Sequence, residues 1–523
     1  MSDKDTLAEA LEEFQLSEDA ESENRKQWLD DIKFARLGEQ WPDAVKRQRE
    51  LDGRPCLTIN RLPAMVRSVL NDARQNKPSI KVHPVDSGAK RETAEILNGL
   101  IRNIEYTSSA DVAYDTALDH AVTGGFGYFR INTDYACDDE FDQDITIERI
   151  SNPLTVYGDE NSTCADSSDW NKAFVTELYT QEAFEKRWKG ASKSNWEADY
   201  KDMPNGWRDG DLVRIAEWWS RKEVPAVLLK LSDGMVLYEK EYLRIKDILD
   251  AQGITIAGTR DTKTYKVTQR IMTGAEVLET NEWAGKYIPI VPVYGDEVNV
   301  EGKRHWISLV RWAKDPQQMF NYWRTASTEL VALAPKTPFI GPKGAFNTDQ
   351  AKWATANVIS HPYIEYDGAM PPQRQPFAGP PAGALQEALN ASDDMKSVMG
   401  IYDAALGARS NETSGRAILQ RQKESDTATF NYIDNLSRSI KHAGRVIVDL
   451  IPKVYSAPRI VRVIHEDGTN ESVPINKPFI PDEAKSPESK QYEAGKDQET
   501  IDGLTKIYDV TTGKYDVTCE VGP

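Results

Sequence analysis

The sequence has 523 residues and is 39% hydrophobic, which is enough for two to four domains with sizeable cores and excludes a disordered chain. Its net charge of −19 argues against tight binding of nucleic acid, because that affinity comes mainly from neutralised phosphates. Four dispersed cysteines without C-x-x-C spacing and the lack of any apolar run near 20 residues exclude a disulfide scaffold and a membrane span, and indicate a soluble cytoplasmic product.

The first 300 residues alternate between helical and strand-like patterns. Residues 1–36 follow a charged helical pattern, helices are predicted over 64–75 and 91–122, and an extended piece lies at 79–85. The motif TGGFG at 123–127 resembles a phosphate loop, but it follows a helix and precedes a strand, so a helix end and turn is the better interpretation. Strand-like runs lie at 126–132, 145–150, 174–179, 213–219, 227–231, 235–238, 265–272 and 277–279. This order predicts an α+β fold with antiparallel hairpins.

From Gly302 the apolar spacing becomes helical, beginning with Trp306 and Leu309. Residues 334–381 contain nine of the 27 prolines and one strand signal, at 359–366. A second helix is predicted over 382–399, and small polar residues occupy 400–414.

The longest helical pattern runs from about Ser414 to Ile451 and would span roughly 55 Å. Its second half carries one apolar stripe, whereas its first half is mostly polar. Such a helix suits a wall between a packed body and an aqueous space better than an enzyme pocket. Strands are then predicted at 460–464 and 515–523.

Eight collinear blocks of the sequence resemble the portal (head-to-tail connector) proteins of short-tailed, double-stranded-DNA phages of the enterobacterial type. The resemblance extends from about residue 25 to the end. In that family, helical chain that forms a crown or barrel follows the segment ending at Pro523, so we expect this chain to be truncated or natively short. The blocks are GRPCLTINRLP (53–63), NDARQNKPSIKVHP (71–84), DVAYDTALD (111–119), TGGFGY (123–128), KDPQ (314–317), YIDNL (432–436), VRVIHEDG (461–468) and GKYDV (513–517).

The resemblance implies an α+β portal-type subunit with an α/β wing, a two-helix stem, a small α/β clip and a long wing helix. Mapped onto this sequence, the wing comprises 1–301 and 415–523, and the latter part begins with the long helix. The stem helices are 302–333 and 382–399, the clip is 334–381 and the channel loop is 400–414.

The resemblance further implies a homo-oligomeric ring of about twelve subunits at one capsid vertex of the virion, assembled in the host cytoplasm. Its implied partners are the capsid and scaffolding proteins, terminase, and the tail adaptor and ejection proteins. Double-stranded DNA would pass through the channel and be held weakly and without sequence specificity.

Residues 302–420 carry 12 basic and 10 acidic residues, a balance of +2, so the remainder carries −21. We therefore expect DNA contact near the loop, through transient contacts with the phosphate backbone that read no bases. Ion pairs with nearby carboxylates, such as Asp393, are the alternative for each cation. The candidate channel residues are Lys396, Arg409, Ser410, Asn411, Arg416, Arg421 and Lys423.

In the clip, prolines would restrict a docking surface that has few helical contacts of its own. Its aromatic residues are candidate partner anchors, although packing between subunits of the ring is an equal alternative. The candidate clip residues are Lys336, Lys343, Phe346, Trp353, Tyr363 and Tyr366.

Enzyme interpretations are disfavoured, and no cofactor or metal is expected. The sequence has no G-x-x-x-x-G-K-[ST] motif and no metal-binding histidine spacing. The acidic cluster around 138–144 lacks the glycine and terminal glutamate of a calcium loop, which favours a solvated hairpin tip. The first alternative is a nuclease that uses scattered carboxylates with magnesium, and the second is another structural capsid or tail component.

Overall fold

The computed structural model describes residues 3–85, 89–137, 139–196, 212–232, 234, 236–251, 253–332, 339–356, 359–374, 382–401, 415–476, 508, 510 and 513–521. For residues 241, 244, 245, 247, 248, 251, 330–332, 382 and 415–428 it describes the backbone alone. The chain forms two compact units. Unit 1 contains Met1–Asp30, Ser68–Leu309 and Thr429–Pro523, and unit 2 contains Asp31–Arg67 and Val310–Ala428.

Helices and strands are mixed along the described chain, which confirms the predicted α+β class. The helices are α1 (Asp3–Ile32), α2 (Asp43–Leu51), α3 (Leu62–Gln75), α4 (Arg91–Thr107), α5 (Ala110–Gly124), α6 (Gln181–Arg187), α7 (Glu239–Ala251), α8 (Leu309–Ala332), α9 (Gln350–Thr355), α10 (Ala382–Met399) and α11 (Gly415–Val454). The strands are β1 (Pro78–Pro84), β2 (Phe126–Tyr135), β3 (Gln143–Arg149), β4 (Val156–Tyr157), β5 (Lys172–Thr180), β6 (Leu212–Leu231), β7 (Val236–Tyr238), β8 (Ile256–Met272), β9 (Val277–Trp283), β10 (Ile290–Tyr294), β11 (Asp296–Val300), β12 (Lys303–Ile307), β13 (Phe339–Ile340), β14 (Gln373–Arg374), β15 (Arg459–Ile464), β16 (Asn470–Ile475) and β17 (Tyr515–Val521).

The largest sheet of unit 1 has the strand order β4-β5-β6-β8-β9, with β7 paired to β6. Helix α1 packs on this sheet through Phe14, whose ring centroid lies 4.6 Å from that of Tyr157 and 5.3 Å from that of Phe174. Trp196 and Trp218 complete this core and are fully buried. The aromatic side chains therefore fill the space between helix and sheet, where each buries a large apolar area.

A second sheet of unit 1 has the order β10-β2-β3 and is covered by α5. Helix α5 ends at Gly124 and is capped by Gly125, which has φ 108° and donates its N–H to the carbonyl of Ala121. A Cβ atom on Gly127 would lie 2.2 Å from the carbonyl oxygen of Ala117, so only glycine permits this close approach of helix and strand. The prediction that TGGFG is a helix end and turn is confirmed.

The long helix is present as α11, and its predicted apolar stripe is buried in unit 1. Asn435 donates to the carbonyl of Gly295 (2.8 Å), and Ser439 donates to that of Pro292 (2.6 Å). Further along, Gly444 faces Ile80 and Val517 of the paired strands β1 and β17. The bounds of α11, β1 and β17 agree with the predicted bounds to within three residues.

Two predicted helices differ from the structure. The single helix predicted over 91–122 is divided into α4 and α5, because Ser109 adopts a left-handed conformation (φ 50°) that breaks the helix. The helix predicted from Gly302 begins at Leu309 instead. Trp306 belongs to β12, which pairs with β11 across a turn at Glu301 and Gly302.

Two strand predictions also differ. The runs at 213–219 and 227–231 form one strand, β6, which pairs with β8 along its length. The run at 359–366 is not a strand, because its polar groups bond to side chains of the preceding turn and helix. The Glu365 N–H donates to Asp349 (3.0 Å), and the Glu365 carbonyl accepts from Trp353 (2.9 Å).

Candidate functional site

Helix α8 carries four polar residues at intervals of four on one buried face. They are Gln317, Asn321, Thr325 and Glu329, each at most 8% exposed. Residues four apart in a helix are separated by a rise of about 6 Å, which is close to the spacing of alternate residues in an extended chain. This row, which we call the α8 ladder, can therefore bond to every second residue of an extended segment.

The extended segment that the α8 ladder contacts lies within residues 54–61, inside the first block that carries the family resemblance. Three alternate backbone N–H groups of this segment donate to ladder side chains. The bonds are Leu57 to Thr325 Oγ1 (3.2 Å), Ile59 to Asn321 Oδ1 (2.9 Å) and Arg61 to Gln317 Oε1 (3.2 Å). Gln317 Nε2 also donates to the Ile59 carbonyl (2.9 Å), so this side chain pairs with one backbone N–H and one backbone carbonyl of the segment.

Glu329 is the last residue of the α8 ladder and its charged member. Its carboxylate accepts from Arg54 Nε (2.8 Å) and pairs with Arg49 Nη2 (2.9 Å). Burial raises the pKa of Glu329, but the hydrogen bonds from Arg54 and Arg49 outweigh it and hold the pKa below its usual value. The carboxylate is therefore ionised at neutral pH and fixes the end of the segment.

Arg61 extends this arrangement to α10. Its guanidinium donates to the Ser392 hydroxyl and lies 4.1 Å from the centroid of the Phe320 ring. Arginine combines a fixed fork of donors with a face that packs on aromatic rings, so one side chain joins both helices. This contact positions α10, whose last residue, Met399, precedes the predicted channel loop.

Residues 339–374 form a small module around Trp353. The Trp353 ring lies 5.0 Å from that of Phe339 and 5.3 Å from that of Phe346, both nearly edge to face. Strands β13 and β14 pair at one side of this module. Two of the predicted partner anchors, Phe346 and Trp353, therefore contact each other and hold the module together.

The other described clip candidates face solvent. Tyr363 is 64% exposed with the Lys352 ammonium 4.2 Å above its ring, Tyr366 is 43% exposed, and Lys343 is exposed. The module also contains a cavity of about 410 Å³. Its lining residues are Ile340, Gly341, Pro342, Met370, Pro371, Gln373 and Arg374. Lys336 lies outside the described residues.

The predicted channel residues are described only in part. Lys396 of α10 pairs with Asp393 at 3.4 Å. Arg409, Ser410 and Asn411 lie outside the described residues. Arg416, Arg421 and Lys423 belong to α11, where the backbone alone is described.

The sequence analysis does not predict the α8 ladder, although the regular spacing of its polar residues is visible in the sequence. Gln317, Asn321, Thr325 and Glu329 recur at i+4, which is a buried-face spacing filled with polar residues. Within the described ranges, no group of three or more His, Cys, Asp or Glu side chains is arranged to hold a metal ion. None of the described helices combines the length and apolar character that crossing a bilayer requires.

Sequence comparison identifies the class as phage portal proteins. The family model described as phage P22-like portal protein matches residues 11–523, so this chain belongs to that family. A curated relative, the portal protein of Acyrthosiphon pisum secondary endosymbiont phage 1, is 27% identical over 530 residues, covering 95% of this chain and 70% of the relative. The family is one of structural portal proteins and not of enzymes. The resemblance found in the sequence blocks is confirmed.

Proposed function

We propose that this chain assembles into a ring at one capsid vertex and forms the conduit for DNA during packaging and ejection. The observation that carries the proposal is the family match across residues 11–523. In this proposal the wing, stem, clip and channel loop have the sequence boundaries given above. In sequence, α8 falls within the first proposed stem segment and α10 has the bounds of the second. Helix α11 begins at Gly415, where the proposed wing helix begins.

The charge of the chain supports a conduit with low friction. A channel that held phosphates tightly would slow DNA, because each neutralised phosphate adds affinity. The net charge of −19 disfavours such a grip, and the balance of +2 in residues 302–420 leaves room for weak contacts. We propose that the end of α10, the channel loop and the polar half of α11 provide them through Lys396, Arg409, Arg416, Arg421 and Lys423.

We further propose that the clip is the docking platform for terminase and then for the tail adaptor. The exposed candidates are Lys343, Tyr363 and Tyr366, and the same module contains the cavity that Ile340 and Met370 border. Phe346 and Trp353 support this surface from within. Rigid aromatic anchors on a supported module are typical of residues that contribute most to an interface.

The mass of the purified protein in solution tests the proposal. Twelve copies of the 58.8 kDa chain give roughly 700 kDa, and negative-stain images should show rings with a central hole. Native mass spectrometry or light scattering measures the mass. A monomer or dimer that cleaves DNA in the presence of magnesium would overturn the ring and favour the nuclease alternative.

A further inference from the structure

The hairpin of β2 and β3 ends in a tip, residues 134–144, that exposes aromatic side chains. Phe141 is 97% exposed and Tyr135 is 59% exposed. The backbone holds this tip in shape, since the Ala136 N–H donates to the Asp142 carbonyl (2.9 Å) and the Glu140 N–H to the Cys137 carbonyl (3.2 Å). Phe141 has the highest exposed fraction of the large apolar side chains described, so it gains almost nothing from packing within its own chain.

The same tip concentrates negative charge. The described residues of the tip include five carboxylates, Asp134, Asp139, Glu140, Asp142 and Asp144, and its sequence has no lysine or arginine. Asp134 stands directly opposite Asp144 in the β2–β3 register, an arrangement that destabilises a hairpin.

Arg459 offsets part of this charge, at 3.0 Å from Asp144 and 3.9 Å from Asp142. For Asp134, Asp139 and Glu140, the described part of the chain provides no ion pair. Three of the described carboxylates around Phe141 therefore keep a negative charge that no ion pair of the described chain offsets.

We propose that this tip is a docking site for a basic protein that receives Phe141 in an apolar pocket. An exposed aromatic anchor surrounded by carboxylates combines the two features that give an interface affinity and orientation. The charge complementarity selects the partner class, because the carboxylates of the tip attract a basic surface, whereas a second copy of this chain carries a net charge of −19. The site lies in unit 1.

Site-specific photocross-linking identifies what the tip contacts. Phe141→p-benzoylphenylalanine is introduced in the phage-infected host, and Leu243→p-benzoylphenylalanine is the matched control. Leu243 is a 62% exposed apolar residue of α7 in the same unit. We expect a covalent adduct between residue 141 and a basic protein, at least about tenfold above the Leu243 yield.

The salt dependence of that adduct tests the electrostatic part. Raising NaCl in the lysate from about 0.1 to about 1 M shortens the Debye length from about 10 to about 3 Å, and the yield should fall severalfold. A main adduct with a second copy of this chain would overturn the proposal. So would a yield at residue 141 no higher than at residue 243, or an adduct indifferent to salt.

Substitutions give an independent readout. Phe141→Ala, and separately the combination Asp139→Asn, Glu140→Gln and Asp142→Asn, should reduce recovery of the basic partner with the protein about tenfold, whereas Leu243→Ala should not. The solution mass of each variant should equal that of the unsubstituted chain. Because that mass is read separately, a monomeric protein that still cross-links through residue 141 would refute the proposed ring and leave this inference standing.

Discussion

Asn321 of the α8 ladder makes three hydrogen bonds through its side chain. Its Oδ1 accepts from the Ile59 N–H (2.9 Å) and from Gln317 (3.2 Å), and its Nδ2 donates to Gln40 (2.6 Å). The side chain is 1% exposed, so water cannot replace these partners when it is removed. A buried polar row of this kind favours one register of the segment, since a shift by one residue would leave its donors unpaired.

Asn321→Ala is expected to loosen the segment without unfolding the chain. It leaves the Ile59 N–H and the side-chain Oε1 of Gln40 unpaired, at a cost of about 2–3 kcal/mol. Hydrogen exchange measures the effect, and the Ile59 amide should exchange roughly 30-fold faster or more. Thr328→Ala, an exposed position of the same helix, is the control and should leave that rate unchanged. Unaltered exchange at Ile59 in the Asn321 variant would show that the ladder does not hold the segment.

At the scale of elements, α11 depends on a close contact with the β1–β17 pair. A Cβ atom on Gly444 would lie 2.7 Å from Val517 Cγ1 and 2.9 Å from Ile80 Cγ2. Both neighbours are β-branched and cannot rotate away without leaving their preferred rotamers. The helix and strands therefore approach closely only because residue 444 has no side chain.

Gly444→Ala sets helix propensity against packing. Alanine gains about 1 kcal/mol of propensity in a helix interior, but overpacking of a rigid contact costs about 1–3 kcal/mol. We expect a net loss of stability, seen as a lower midpoint of thermal unfolding for unit 1. Gly383→Ala in α10 is the matched control, because no atom lies within 4 Å of its added Cβ, and it should be neutral or stabilising. A Gly444 variant more stable than the original chain would mean that the strands yield.

Elements with long, uniform patterns could be predicted from the sequence. The bounds of α10 agree with prediction, and those of α11 agree to within three residues, because an apolar stripe at helical spacing has few alternative structures. The sequence pattern does not predict the middle of β6, because residues 221–226 are exposed or only half-buried. Alternation between buried and exposed positions is therefore lost there. The run at 359–366 was assigned to a strand because local alternation does not show that Asp349 and Trp353 take its backbone bonds.

The candidate site shows the same division between local and long-range information. Aromatic composition predicts partner anchors in the clip. It cannot distinguish Trp353, which packs inside the module, from Tyr363, which faces solvent. The α8 ladder required knowledge that a segment more than 250 residues earlier lies against α8. Spacing within one helix indicates a polar face, and only the partner segment explains why that face is buried.

At the scale of the whole molecule, charge is divided in a way that suits a conduit. If the chain forms the proposed conduit, the −21 carried outside residues 302–420 would repel phosphates, and the balance of +2 within these residues would permit weak contact. The proposed channel loop, residues 400–414, adds one arginine and two carboxylates to this segment. If the loop meets DNA during its passage, its function should be separable from assembly.

Replacing residues 400–414 with a short glycine linker is therefore expected to preserve the ring and impair DNA packaging or retention. Solution mass measures the first property, and the fraction of particles that hold full-length DNA measures the second. Arg409→Gln, which keeps the loop length and removes its cation, is the companion variant. A defect in both variants would assign the effect to charge, and a defect in the linker alone would assign it to the shape of the loop. Loss of the ring in the linker variant would contradict the prediction, because the loop would then serve assembly.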